Sequence, residues 1–337
     1  MKFKNLTKEQ LNTIREYKKD NPDNAVSYFI MGFLGTSLRT AERIAKKMGL
    51  TRKYDNSKRA VNITVVDPIL VRAETKSPTR VLLYDIETSP LKSYVWGLWE
   101  QNIGHNMAML QNDWFILTWS AKWLFESETF SDRLTPEEVF AEDDKRIVQS
   151  LWEMIEEADV VIAHNGKKFD NKRINTRFLK HGIKQPMPYQ TIDTLLTARA
   201  NFNISSNKLD YIGQFLGVGR KVETQGFELW KRCMQGDEQA LKDMETYNIG
   251  DVTLLEDVYL KLRPYVKPHP NMGLFISEDV ECCPTCGSED LERGGSYATT
   301  VSVYEAMRCN NCGSVGRSRK SVIPSGSKKN LTVPSGR

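Results

Sequence analysis

The spacing of apolar residues divides the chain into a short helical part and a longer α/β part. Within residues 1–54 apolar positions recur every three or four residues, which predicts helices. Thr7 and Gln10 form a capping box for the first helix, and Asn21–Pro22 is expected to end it. Residues 37–48 predict a basic helix that follows a glycine turn. This pattern indicates either a helix-turn-helix, which can enter a DNA major groove, or a plain helical bundle.

The pattern changes after a polar stretch at residues 55–79, which predicts a linker. Apolar runs of strand length occur at 81–87, 113–123 and 160–165, and helical periods lie between and after them. Strands that come first and then alternate with helices are typical of an α/β domain. We therefore predict one α/β domain over residues 80–265.

Composition is that of an ordinary globular protein, with 40% apolar and 27% charged residues. The sequence has no uncharged apolar stretch near the roughly 20 residues that span a bilayer. The N-terminal MKFKNLTKEQ has no apolar segment like that of a secretory signal. We therefore expect a cytoplasmic protein without a membrane partner.

Charge is distributed unevenly, although the net charge is only +4. Residues 1–80 have a balance of +9, residues 81–312 of −11, and residues 313–337 carry six basic residues and no acid. An acidic centre between basic ends is typical of a metal-binding core whose flanks attract polyanions. The acids can also simply solvate helix faces. Residues 316–337 contain few apolar residues and are expected to form a disordered basic tail.

Candidate catalytic residues occur in three short segments. Asp85 and Glu87 are two positions apart in an apolar strand and would point to the same side. Asp170 follows a glycine turn and begins a predicted helix, while Tyr247 and Asp251 are four positions apart on another helix. Taken singly, each acid has an ordinary structural explanation. Taken together, four acids on a strand, a turn and a late helix suit two Mg²⁺ or Mn²⁺ ions, which prefer oxygen ligands.

These segments read DIE, N-x₃-F-D and Y-x₃-D, in the order found in the DEDD superfamily of 3′→5′ exonucleases. The chain resembles that superfamily over about residues 80–265. Because Tyr247 is present and position 246 is Thr246 instead of histidine, the resemblance is to the tyrosine subclass. Residues 191–221 are similar to the corresponding stretch of family B DNA polymerase exonuclease domains, and more similar to stand-alone phage exonucleases.

The resemblance implies a ribonuclease H-like mixed sheet flanked by helices, and a 3′→5′ exonuclease that hydrolyses DNA phosphodiester bonds with two metal ions. Asp85 would bridge the two ions, Glu87 and Asp251 would complete the coordination of the first ion, and Asp170 would support the second ion. Tyr247 would orient the attacking water. The implied role is a separate proofreading or DNA-processing nuclease of a phage, in a bacterial or phage-infected cell, working beside a separately encoded DNA polymerase.

The resemblance also implies substrate contacts. Asn165 and Phe169 would contact the terminal nucleotide, and Ile86 and Thr88 would wedge beside the 3′ base. Three alternatives remain open at this point: the same chemistry on RNA, an endonuclease, and a nucleic-acid-binding scaffold without catalysis.

Two CxxCG knuckles define a small module over residues 278–315. Four thiolates in a closed site are typical of a structural Zn²⁺ in a zinc ribbon, and an Fe–S cluster is the alternative. Cys282 could exchange with its neighbour, but the Pro-x-Cys-Gly context favours Cys283. Such a ribbon could bind nucleic acid, bind a protein or cap the domain, and the adjacent basic segment favours nucleic acid. The predicted ligands are Cys283, Cys286, Cys309 and Cys312.

Overall fold

The structure is a computed structural model in two units, residues 1–66 and 67–337, and each unit is considered by itself. The residues that it describes are 6–20, 30, 33–34, 44–45, 47–48, 50, 79–97, 99, 110–267, 269–276, 280–328 and 331–333.

The first unit contains helix α1 (Lys8–Asp20). Its predicted capping box is present: the Gln10 N–H donates to Thr7 Oγ1 at 3.2 Å and the Thr7 N–H donates to Gln10 Oε1 at 3.0 Å. Ile14 is fully buried in a small apolar cluster with Ile30, Ile44 and Ala45. Most of the predicted helix-turn-helix and almost all of the predicted linker lie outside the described residues.

The second unit is built on a mixed sheet. Its strands are β1 (Val81–Thr88), β4 (Ile116–Trp123), β5 (Thr129–Arg133), β6 (Val160–Ala163) and β7 (Gln190–Asp193), with a small hairpin of β2 (Lys92–Ser93) and β3 (Leu110–Asn112) beside them. Its helices are α2 (Pro136–Ala141), α3 (Lys145–Glu156), α4 (Asp170–His181), α5 (Thr194–Asn201), α6 (Leu209–Leu216), α7 (Phe227–Met234) and α8 (Glu238–Leu262).

Within the described ranges this sheet has five strands in the order β5-β4-β1-β6-β7. Strand β1 is antiparallel to β4 and parallel to β6, and β7 continues the parallel side. The predicted α/β class with a mixed sheet is therefore confirmed. Strand β1 thus has an antiparallel neighbour on one side and a parallel neighbour on the other. Because β1 and β6 are parallel, their carboxyl ends lie at the same end of the sheet.

The core forms two layers because side chains alternate along β1. Leu82 and Tyr84 face one cluster, which includes buried residues of α3 and α4, and Leu83 faces a second cluster with residues of α5 and α6. Helix α8 contributes to both layers, with Met244 in the first and Val252 in the second. The long helix thus crosses an end of β1, where it can reach the carboxylates.

The C-terminal module is a three-stranded antiparallel sheet of β8 (Leu291–Ala298), β9 (Val303–Cys309) and β10 (Val315–Ser321), in the order β10-β9-β8. The expected disordered tail from residue 316 is wrong at its start. Strand β10 continues to Ser321, with Arg317 opposite Ala306 and Ser321 opposite Tyr304. An edge strand needs few apolar side chains because its backbone bonds to one neighbour and its side chains can stay in water.

This module packs against the end of α8 and the start of β1. A cavity of about 50 Å³ between them is lined by residues that include Val81, Tyr259, Arg263 and Thr285. Tyr259 Oη lies 3.0 Å from His269 Nε2, and the Met272 N–H donates to the carbonyl of Pro284 at 2.8 Å. The module therefore sits at the sheet edge opposite to the carboxyl end of β1. No helix in the described part of the chain has the length and apolar character needed to cross a bilayer.

One fully buried carboxylate, Asp144, ties the start of α3 to α4 and β4. Its Oδ1 lies 2.5 Å from a nitrogen of Arg177 and 2.5 Å from Nε2 of His181, and its Oδ2 accepts the Ile116 N–H at 2.8 Å. Although Asp143, Asp144 and His181 are close enough to bind a metal ion, both oxygens of Asp144 already have partners. We interpret this cluster as structural.

We predict that Asp144→Ala lowers the free energy of unfolding by about 3–5 kcal/mol, because the buried charge of Arg177 loses its partner. The matched control is Asp143→Ala, since Asp143 is exposed and, among the described residues, its side chain accepts from the Lys145 N–H alone; its expected cost is below about 1 kcal/mol. Urea unfolding of both variants measures the difference. Equal costs would show that the ion pair does not hold these elements together.

Candidate active site

Strand β1 carries two carboxylates out of the core at its carboxyl end. Asp85 lies opposite Ser120 of β4 and Glu87 lies opposite Thr118, so both side chains project on one side of the sheet. The pairing register shifts between Glu87 and Thr88. Such an irregularity bends the strand and ends regular pairing where a site begins.

Helix α8 brings a second group of side chains to this edge. Its N-cap Asp237 accepts the N–H groups of Gln239 and Ala240, which fixes the start of the helix. Asn248 is fully buried and its Nδ2 donates to Asp85 Oδ2 at 2.7 Å. Asp251 lies three residues later on the same helical face and is 1% exposed. Sequence reasoning missed Asn248, although its spacing from Asp251 could have revealed it.

The carboxylates of Asp85, Glu87 and Asp251 converge, with one oxygen from each within 4.8 Å of the others. Asp170 is buried at the first residue of α4, close to the backbone of Ile86 on β1. The turn before it needs glycine, because a Cβ at Gly166 would stand 2.6 Å from Cβ of Ala163. All four predicted acids therefore approach the end of β1, and Asp170 lies outside the group of three.

Burial and mutual repulsion make this group hard to ionise without a cation. Burial first, and then the charges of Asp170 and Glu87, raise the pKa of Asp85 well above its ordinary value. Burial and the charge of Asp251 raise the pKa of Glu87 to about 8, and burial raises that of Asp170 to about 7. Burial also raises the pKa of Asp251. A bound cation would replace the protons that these shifts favour.

Lys221 supplies part of that positive charge, and no motif in the sequence indicates it. Its ammonium forms an ion pair with Asp251 and donates to Tyr247 Oη at 2.9 Å. Burial alone would lower its pKa, but the charge of Asp251 raises it above the ordinary value. One lysine against four acids leaves an excess of negative charge. No spacing rule relates position 221 to the helix, so only the fold reveals this contact.

The donor set fits hard divalent cations. All four side chains offer oxygen, which Mg²⁺ and Mn²⁺ prefer. Asp170 Oδ1 and Asp251 Oδ1 are buried and have no hydrogen-bond partner among the described residues. A buried carboxylate oxygen without a partner is costly unless a cation or donor approaches it. The residues present therefore fit the metal ions that the motifs imply.

The predicted substrate-contacting residues have different positions. The expected contact of Ile86 with the 3′ base stays a prediction, and in this structure Ile86 is 2% exposed and faces the core. The cause is strand alternation, which turns Ile86 away from the side that Asp85 and Glu87 face. Thr88 lies at the end of β1, half-buried, and its Oγ1 accepts from Arg173 at 2.7 Å.

Phe169 and Asn165 flank the turn that leads to Asp170. The guanidinium of Arg173 lies 4.3 Å from the centre of the Phe169 ring, which places a cation beside the site. Asn165 has a φ of 72° and its N–H donates to Asp193 Oδ1 at 3.1 Å. Asp193 also accepts the N–H of Lys167, so it shapes the turn. Contacts of Phe169 and Asn165 with a nucleotide stay a prediction.

The C-terminal module gathers four thiols. Sγ atoms of Cys283 and Cys312 are 3.6 Å apart, as are those of Cys286 and Cys309, and all four lie within 4.8 Å of one another. A tetrahedral Zn²⁺ with bonds of about 2.3 Å would separate its sulfurs by about 3.8 Å. The thiols therefore fit such an ion, and Cys282 lies outside the group.

Comparison with known proteins agrees with this geometry. Residues 125–263 match the family described as RNase_H superfamily (RNase_H_2). The match includes Asp170, Tyr247 and Asp251 and begins after Glu87. Residues 125–263 are therefore similar to the ribonuclease H superfamily, as the resemblance of the motifs implied.

Similar proteins include DNA polymerases. A DNA polymerase III of the PolC type from Ureaplasma parvum serovar 3 is 26% identical over 135 residues, which cover 40% of this chain and 9% of that protein. The chain thus spans less than a tenth of that relative. The family B DNA polymerase from the hyperthermophilic archaeon Pyrobaculum calidifontis aligns at a TM-score of 0.43 and 16% identity, over 59% of this chain and 27% of that chain.

The raised pKa values predict that the cation stabilises the fold more as pH rises. Between about pH 4 and pH 8 the cation-free folded protein holds protons on Glu87 and Asp170 that the unfolded chain has lost. Its stability therefore falls with rising pH in this window. Because Mg²⁺ replaces these protons, we expect it to raise the thermal midpoint more at about pH 8 than at about pH 6.

Two variants on helix α8 distinguish the effect of a site carboxylate from that of an exposed carboxylate. Asp251→Asn should remove most of the Mg²⁺-induced shift, whereas Asp257→Asn should keep it, because Asp257 is exposed. Differential scanning calorimetry at both pH values measures the shifts. A shift that is independent of pH, or equal in both variants, would contradict the prediction.

Proposed function

We propose that this protein is a metal-dependent 3′→5′ exonuclease of the DEDD superfamily, tyrosine subclass, that removes nucleotides from DNA. The observation that carries the proposal is the convergence of Asp85, Glu87, Asp170 and Asp251 at the end of β1, with two buried carboxylate oxygens left without partners. In a ribonuclease H-like domain, such a group is suited to phosphodiester hydrolysis.

Asp85, Glu87 and Asp251 would hold one Mg²⁺ or Mn²⁺, and Asp170 would help to hold a second. Two such ions supply Lewis acidity and charge stabilisation to the attacking and leaving oxygens of an in-line displacement. Asn248 keeps Asp85 in place through its bond to Oδ2, which leaves the other carboxylate oxygen available. The protein thus contributes ligands whose positions are fixed by β1, α4 and α8.

Tyr247 positions a proton and does not remove one. Burial and the charge of Asp251 raise the pKa of its hydroxyl to about 12, so the hydroxyl stays protonated at neutral pH. Because the hydroxyl oxygen accepts from Lys221, its own O–H can donate to a water or a phosphate oxygen. Lys221 therefore helps to hold the Tyr247 hydroxyl in place, and it adds positive charge near the scissile phosphate.

Arg173 completes the positive side of the site. Its guanidinium contacts the rings of Phe169 and Trp114 at 4.3 and 4.5 Å and donates to Thr88 Oγ1. A guanidinium held in this way can bind a phosphate of the terminal nucleotides. DNA is proposed as the substrate because the similar proteins are named as DNA polymerases. A separately encoded DNA polymerase is the proposed partner, and proofreading or DNA processing in phage replication is the proposed role.

The proposal is tested with single-stranded DNA labelled at one end, in Mn²⁺. We expect labelled mononucleotide at once from the 3′-labelled strand and a shortening ladder from the 5′-labelled strand. Asp251→Asn should lower the rate by about 10²–10³-fold or more, the usual loss when one charge-stabilising group is removed. Asp257→Asn should keep the rate, since that carboxylate is exposed elsewhere on α8.

The same assay contains the outcomes that would contradict the proposal. Cleavage of a circular single strand would show an endonuclease. Mononucleotide released first from the 5′ label would reverse the polarity, and faster degradation of the matching RNA would change the substrate. DNA binding without cleavage by the unaltered protein would indicate a scaffold.

We further propose that Cys283, Cys286, Cys309 and Cys312 bind one structural Zn²⁺. The purified protein should contain about one zinc per chain by mass spectrometry of the metal. Cys312→Ser should lose zinc and melt the module at lower temperature, because three ligands hold the ion less tightly. Cys282→Ser is the matched control and should keep zinc, since Cys282 is outside the thiol group. Iron and sulfide in place of zinc would overturn this assignment.

A further inference from the structure

The exposed face of the C-terminal sheet combines aromatic and basic side chains. Tyr297 of β8 lies directly opposite Tyr304 of β9, and Arg317 of β10 lies opposite Ala306. Residues that pair across strands, or that lie two apart on one strand, share a face. Tyr297 is 53% exposed, so its ring is open to solvent. The three side chains therefore form one surface, called here the Tyr-Arg face and defined by Tyr297, Tyr304 and Arg317.

Arg317 is held in position by rings and not by an acid. Its guanidinium carbon lies 3.9 Å from the centre of the Tyr304 ring and 5.8 Å from that of Tyr297. One of its nitrogens donates to the Ser318 carbonyl at 3.2 Å. Within the described ranges it forms no ion pair with a carboxylate. A planar cation placed this way keeps donors available for a phosphate.

The charge around this face favours a polyanion. From Ala306 to the C-terminus the sequence has seven basic residues and no acid. Arg319 and Lys320 are exposed beside Arg317 on β10, and one acid of the same face, Glu292, stands opposite Arg308. On the other side of the sheet Arg293 is already paired with Glu281 and Glu305. The Tyr-Arg face therefore lies beside exposed basic residues of β10, and one acid, Glu292, is on the same face.

This face is separate from the carboxylate site. The module contacts the start of β1 at Val81 and the end of α8 at Tyr259 and Arg263. Glu87 is six residues along β1, about 20 Å away at 3.3 Å per residue. Asp251 is twelve residues before Arg263, about 18 Å along the helix. One nucleotide cannot occupy both places, but one strand can reach both.

We propose that the Tyr-Arg face binds single-stranded DNA, with a base stacked on Tyr297 and a phosphate bound by Arg317. Exposed rings beside unpaired cations are the combination that binds single strands without regard to sequence. The choice of DNA rests on the proposed function. The face would hold the body of a strand whose 3′ end lies at the carboxylates, and its own chemistry needs no metal ion at the acids.

Binding is measured by fluorescence anisotropy of a labelled thymidylate strand of about 20 nucleotides, with the full-length chain carrying Asp251→Asn and without added Mg²⁺ or Mn²⁺, so that cleavage is negligible during the measurement. In this background Tyr297→Leu should weaken binding about fivefold or more, because the stacked base loses its ring. Tyr297→Phe should keep the affinity. Arg317→Ala should weaken binding and reduce the slope of log affinity against log salt by about 0.7, the value for one phosphate contact.

Arg293→Ala is the matched control, because it removes an arginine of the same sheet that is already paired with acids. Its affinity and salt slope should equal those of the parent. Zinc content and thermal midpoint of every variant establish that the module is folded. For any variant that fails this check, photocrosslinking of a bromodeoxyuridine strand to the parent chain decides the question, and crosslinks should map to Tyr297 or Tyr304.

Several outcomes would overturn the proposal: unchanged affinity in Tyr297→Leu and Arg317→Ala, an equal loss in Arg293→Ala, crosslinks that avoid β8 and β9, or tighter binding of the matching RNA strand. Because binding is measured while cleavage is suppressed, its result is independent of the nuclease assay. A chain that binds through this face and cleaves nothing would refute the proposed function and keep this inference. A chain that degrades DNA but does not bind it through the Tyr-Arg face would refute this inference and keep the proposed function.

Discussion

Four carboxylates, two of them buried and two half-buried, repel one another at the end of β1, and the surrounding fold keeps them together. Their charges cannot separate because Asp85 and Glu87 are fixed by sheet pairing, Asp170 by the start of α4, and Asp251 by the long helix α8. Desolvation adds to the repulsion and raises their pKa values. The unfavourable free energy of this repulsion must be offset by apolar burial in the two layers on either side of the sheet.

The positive groups around these acids have different roles. Lys221 contacts Asp251 and the Tyr247 hydroxyl directly, so it balances charge within the site. Arg173 is held by aromatic rings and Thr88 at the rim, where a phosphate would pass. Arg317 is held by tyrosines on another sheet. The basic side chains are thus more exposed the farther they lie from the acids, which suits a polyanion that approaches along the surface.

Sequence reasoning predicted the parts of the fold that local patterns determine. The buried strand at 81–87, the acids Asp85 and Glu87 and the thiol pairs follow from periodicity and spacing, and the structure brings the expected residues together. It missed Lys221, because a contact across 30 residues of loop and helix has no local signature. It did not anticipate that strand alternation turns Ile86 into the core, and the count of apolar residues underestimated the extent of β10.

Helix α8 carries Tyr247, Asn248 and Asp251 on one uninterrupted run of 25 residues, with its start fixed by Asp237 and its end beside the thiol module. Because each residue turns the helix by about 100°, one inserted residue before Tyr247 would rotate all three side chains away from β1 together. Sequence change in this segment is therefore restricted to substitutions and excludes single-residue insertions. The number of residues between Asp237 and the site can change only by whole helical turns. The length of this part of the helix is therefore constrained as strictly as the identity of the acids.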